Sequence, residues 1–181
     1  MCNRNRERGS QTLEFTLIGL PLLFMLFAIA NMCFAMMTFH TLQEAIEQGA
    51  RFVVTRGSTC AAGTNTCTVT VQQIAGVVSS SAPGIAPANL ILTLTSNSGA
   101  VTSCNPVTVC MSSCSSGCSG SRTNVWPPSA SSDNSPGKDI IVSGDVLNLP
   151  TPMFMFWTMY NNAPKINNTS FHAYSRQRLM F

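Results

Sequence analysis

FTLIGLPLLFMLFAIANMCFAMMTF, residues 15–39, is 25 residues long and carries no formal charge. As a helix this run extends about 37 Å, and a hydrocarbon core of about 30 Å needs about 20 residues to cross. It is therefore read as one membrane-spanning helix. Pro21 falls inside it, early enough for neighbouring chains or a local adjustment to satisfy the one lost backbone bond. On one flank stand Arg4, Arg6 and Arg8, whereas the other balances Glu44 and Glu47 against Arg51 and Arg56. The positive-inside bias then keeps the N-terminus cytoplasmic and sends everything after about residue 40 across the membrane. A cleaved signal peptide also begins with basic residues and an apolar stretch, and Ala28-Ile29-Ala30 has the small-x-small form its peptidase prefers. The run continues through Met32, Cys33, Phe34, Met36 and Met37, past where a signal ends, which favours the anchor.

Composition narrows the rest. Of 181 residues only 9% are charged, against roughly 25% in an ordinary soluble domain, and Ser, Thr and Asn fill the surface instead. Ten Lys plus Arg against seven Asp plus Glu give +3, with no clustered basic face for nucleic acid. Hydrophobic content of 45% excludes disorder of the highly charged kind. Two histidines and seven acids leave little material for acid–base or metal chemistry.

At the mouth of the run, Gly9-Ser10-Gln11-Thr12-Leu13-Glu14-Phe15 places a lone carboxylate beside hydrocarbon, where an acid is costly and usually partnered. A cut after Gly9 would set the new Ser10 amine about one helical turn from Glu14, in its own chain or a neighbour's. The alternative is a solvated, idle Glu14 at headgroup level. Gly9-Ser10-x-x-x-Glu14-Phe15 ahead of an apolar helix resembles the cleavage site of type IV prepilin-like proteins. The wider set, Arg8-Gly9 to Phe15, then Leu20-Pro21-Leu22-Leu23, then Leu42-Gln43-Glu44-Ala45 and Gly49-Ala50-Arg51, resembles the TadE-like family of tight-adherence (Flp) pilus assembly. That resemblance implies a minor pseudopilin, cut by a prepilin peptidase after Gly9 and held in the bacterial inner membrane among other pilins or pilus-assembly subunits.

Beyond Phe39, Leu42, Ala45, Ile46, Gly49, Phe52 and Val53 recur three and four apart, which extends the helix to a cap at Gly57. Val71, Ile74, Ala75 and Val78 predict a second, shorter helix before Pro83-Gly84. Leu90 to Thr95 alternates as a half-buried strand, and Asp139 to Val146 and Ser170 to Arg178 are further strands. The expected architecture is α+β: a basic leader over 1–9, a long transmembrane and amphipathic helix over 10–57, and an extracytoplasmic domain over 58–181 with a small antiparallel sheet. Residues 96–137, rich in Ser, Gly, Asn and Pro, read as a long loop.

With Cys2 in the leader and Cys33 in the membrane run, Cys60, Cys67, Cys104, Cys110, Cys114 and Cys118 remain on the oxidising side. Disulfides that staple the polar loop are the natural use. Six cysteines leave the connectivity open, with a local Cys60–Cys67 bridge preferred. The Cys110-x-x-x-Cys114-x-x-x-Cys118 spacing lacks the C-x-x-C knuckle of structural zinc sites, and no histidine is near. Pro150-Thr151-Pro152-Met153-Phe154-Met155-Phe156-Trp157 is unusually apolar, and Phe154, Phe156 and Trp157 fit burial under the sheet, contact with the outer leaflet, or a patch for a partner subunit. His40 and His172 have no accompanying catalytic pattern, so neither an enzyme, a cofactor, nor a small-molecule or nucleic-acid partner is expected. The rival expectation is a secreted or anchored, cysteine-stapled adhesin-like binding module.

Overall fold

The computed structural model describes residues 7–56, 69–111, 125–128, 132–147 and 171–180. Three helices, α1 (Glu7–Val54), α2 (Val71–Ser80) and the single turn α3 (Thr108–Met111), accompany four strands. These are β1 (Leu90–Thr95), β2 (Val101–Cys104), β3 (Asp139–Val146) and β4 (Phe171–Arg178), and a short 3-10 turn, Pro87–Asn89, leads into β1. The fold is therefore α+β, with one long N-terminal apolar helix and an antiparallel sheet.

The chain divides into two compact units. The first consists, among the described residues, of α1 up to Met37. Its side chains from Thr12 onward are largely exposed, including Phe15 at 77%, Leu17 at 72% and Leu23 at 54%. Apart from the one bond that Pro21 lacks, the i to i−4 ladder satisfies the backbone internally, which is what a segment without water requires. Thr16 Oγ1 donates to the carbonyls of Thr12 and Leu13 at 3.0 Å each, so that its hydroxyl is also paired within the helix. Helix α1 is already helical at Glu7, ahead of the expected start at Ser10, and ends at Val54, while the expected cap at Gly57 lies outside the described residues.

The second unit begins at Thr38. Its sheet has the order β2-β1-β3-β4, every neighbouring pair antiparallel. Period-2 alternation puts Leu90, Leu92 and Leu94 of β1 and Ile140, Val142 and Val146 of β3 on one buried face. That face forms one core with Leu42, Ala45, Ile46, Ala50 and Val53 of α1 and Val71, Ile74, Ala75 and Val78 of α2. The expected stripe on α1 is thus buried, with Ala50 and Val54 added and Phe52 only partly covered. Helix α1 crosses the sheet so closely at Gly144 that a Cβ there would stand 2.6 Å from Ile46 Cδ1. A Cβ on Gly49 would stand 2.5 Å from Val78 Cγ2, which sets the contact between α1 and α2.

The expectation of an unbroken loop over 96–137 is corrected. Ser96 to Ala100 forms a tight turn, with Ser96 N–H donating to Ala100 O and Gly99 N–H to Ser96 O, both at 3.0 Å. Gly99 takes φ +83°, a conformation that side chains disfavour, and returns the chain as β2. The strand is too short and too polar to advertise itself, but pairing with β1 and the burial of Cys104, Val107, Cys110 and Trp126 hold it in place. Trp126 N–H donates to Val69 O at 2.8 Å, joining this region to the start of α2.

Candidate functional site

Gly9, Ser10 and Glu14 all lie on α1. Ser10 and Glu14 are four apart, one turn, on a helix whose positive end favours a carboxylate nearby. Glu14 and Phe15 are exposed. The arrangement can hold an amine–carboxylate pair at the head of an apolar helix, within one chain or between two.

From Thr12 to Val54 the helix is long and apolar enough to cross a membrane, with a mean hydropathy of 2.3 over its most apolar window, none of it buried by protein. Asn31 interrupts the run, its Nδ2 donating to Phe27 O at 2.9 Å. Cys33 is an exposed free thiol.

In the second unit Cys104 and Cys110 form a disulfide that ties the end of β2 to α3, both residues buried. Cys60, Cys67, Cys114 and Cys118 lie outside the described residues, as do Phe154, Phe156 and Trp157. The structure therefore brings together one pair of the expected cysteines.

On the sheet face opposite the core, carboxylates and cations pair across β3 and β4. Asp139 accepts from Arg176 at 2.7 Å and from Arg178 at 3.2 Å, and these two guanidinium groups hold its carboxyl below the usual carboxylate range. Asp145 Oδ1 stands 2.7 Å from His172 Nδ1, and the His172 ring stacks on Tyr174. His40 is exposed beside Phe39, whose ring also meets Phe171 edge-on at 6.0 Å. Among the described residues no group of three His, Cys, Asp or Glu side chains converges on a metal position.

Asp133 carries no local signal in the sequence. It is 2% exposed and accepts from Ser98 N–H at 3.3 Å and from Ser98 Oγ, locking the β1–β2 turn to the segment before β3. Its partner is 35 residues away, so no local pattern announces it.

Residues 9–51 match the family model described as TadE-like protein, the same family that the motifs of this segment resemble. The matched segment contains Gly9, Ser10, Glu14, the apolar run and Gly49-Ala50-Arg51. No curated protein and no solved structure matches the chain.

Proposed function

We propose that this chain is a minor pseudopilin of a tight-adherence pilus or a related secretion apparatus. It is cut after Gly9 by a prepilin peptidase and held in the inner membrane by α1, N-terminus inside and sheet domain outside. The observation that carries the reading is the family match over residues 9–51, which spans both the cleavage motif and the helix it precedes. The TadE-like family acts in tight-adherence pilus assembly, and the exposed apolar surface of α1 is the kind of surface that a bilayer or neighbouring pilin helices would cover.

In this reading the peptidase creates a charge that the chain already has the means to neutralise. Cleavage frees the Ser10 amine, and Glu14 neutralises it, or the amine of an adjacent pilin. A carboxylate and an ammonium near hydrocarbon each carry a large desolvation cost, which pairing reduces, and that difference favours subunits aligned in depth. The disulfide-bearing domain then occupies the extracytoplasmic side, where Cys104 and Cys110 stay oxidised.

Glu14→Gln tests this role. The expected result is a loss of pilus output of about tenfold or more, the scale on which an unpaired charge near hydrocarbon is disfavoured, with alkaline-wash-resistant membrane insertion unchanged. Normal piliation in the variant would remove the assembly role from Glu14.

A further inference from the structure

Phe39, the last residue of the uncharged run, already belongs to the second unit, which begins at Thr38. Three residues later Leu42 is fully buried in the core of that unit, whereas Met36, three residues earlier, is exposed. Within less than two turns α1 passes from side chains that a bilayer would cover to side chains that protein covers, with no linker between them. The run is about 37 Å long and a hydrocarbon core about 30 Å thick, so a run that fills the core leaves Phe39 between its edge and about 7 Å beyond. A headgroup layer, half the difference between the whole bilayer and its core, is about 5–8 Å thick. Phe39 therefore stands in that layer.

Whatever touches Phe39 shares its depth. The Phe171 ring, at the start of β4 and in the same unit, meets the Phe39 ring edge-on at 6.0 Å, and that distance bounds their difference in depth whichever way the unit leans. Both rings are half-buried, so the core leaves part of each uncovered. His40 beside Phe39 and His172 beside Phe171 are exposed. Asp145, opposite His172 across the strands, stands 2.7 Å from its Nδ1, so this carboxylate does not face a phosphate layer alone. Half-covered rings flanked by polar side chains suit a boundary with one apolar and one wet side.

We propose that the Phe171 end of the sheet rests in the headgroup layer of the extracytoplasmic leaflet, with Phe39 and Phe171 against the upper acyl chains and His40 and His172 among the phosphates. The partner is a phospholipid surface, and the contact continues the one that the helix makes. It gives the sheet a hold on the bilayer through a strand far along the chain from the span. The proposal rests on the reading of α1 as a membrane span with the sheet domain outside.

The test uses the full chain in vesicles of phosphatidylcholine brominated near the glycerol end of its acyl chains, with unbrominated vesicles as reference. Trp157→Phe throughout leaves Trp126, buried in the core, as the background emission to subtract. Phe39→Trp and, separately, Phe171→Trp put an indole at each ring, and His172→Trp puts one at an exposed position that does not disturb the core. Bromine quenches only at short range. The emission added by Phe171→Trp and by His172→Trp should be lost to bromine to the same extent as that added by Phe39→Trp. Loss with Phe39→Trp alone, while aqueous acrylamide quenches the other two, would overturn the contact and leave the span intact. Extraction of the parent chain by an alkaline wash of the same vesicles would instead overturn the span, and the contact with it.

Discussion

Gly144 is where the sheet admits α1, and with Gly49 it is one of two positions in the second unit where a Cβ has no room. Its missing Cβ leaves room for Ile46 and Leu42, the first of which would otherwise be only 2.6 Å away. Gly144→Ala should destabilise the unit by about 1–3 kcal/mol through overpacking. Gly76 is the control, because a Cβ there meets nothing within 4 Å and the residue lies inside α2. Gly76→Ala should be stabilising by about 0.5–1 kcal/mol. Urea unfolding followed by Trp126 fluorescence, in a Trp157→Phe background, measures both. Asp139 gives a prediction in pH. Its folded carboxyl is held low by Arg176 and Arg178, so the stabilisation it contributes is present above the unfolded value near 3.8 and is lost as pH falls through the folded value. Asp139→Asn should therefore lower the unfolding midpoint at pH near 7, and the gap from the parent chain should shrink in acid as the parent's Asp139 protonates. An equal gap at both ends of the titration would mean that packing, not charge, was lost. Residues with a local signal were legible in the sequence, such as the alternating leucines of β1. Gly144, Asp133 and Trp126 were not, because what fixes each of them is a contact distant along the chain.

Elements with a strong period were legible for the same physical reason. The apolar positions of α2 recur at helical spacing, and its start also carries a reciprocal cap. Thr70 Oγ1 accepts from Gln73 N–H at 3.3 Å while Gln73 Oε1 accepts from Thr70 N–H at 3.1 Å. That Thr-x-x-Gln signature was available in the sequence as a start signal. Strands β1 and β3 alternate over six and eight residues, enough for one buried face to declare itself, whereas β4 buries only Ala173. Strand β2 has four residues with only Cys104 fully buried, and its existence depends on the turn before it and the partner beside it. The Cys104–Cys110 bridge holds the far end of β2. Replacing both cysteines by serine should cost about 2 kcal/mol for so short a loop, read as a lower urea midpoint for the second unit. An unchanged midpoint would assign the geometry of this corner to Val107 packing and the pairing of β2 with β1.

At the scale of the whole molecule the two units obey different rules. The second unit buries its apolar side chains in a core of its own, and its outer sheet face carries the ion pairs of Asp139 with Arg176 and Arg178. The first unit does the reverse, with a helix whose apolar side chains face outward along its length. That inversion was legible from residues 15–39 alone, because no soluble core accommodates so long an uncharged run on every side of one helix. The candidate cleavage site was legible from Gly9, Ser10 and Glu14 only through the family that this spacing resembles. The proposed role of Glu14 depends on cleavage after Gly9, and the mature N-terminus reports that cleavage. Mass spectrometry of the membrane fraction, from cells with and without the prepilin peptidase, should find a chain beginning at Ser10 only when the peptidase is present. A chain beginning at Asn31 would contradict the account and leave a secreted, cysteine-stapled domain, and an intact Met1 in both cells would leave Glu14 with no amine to neutralise.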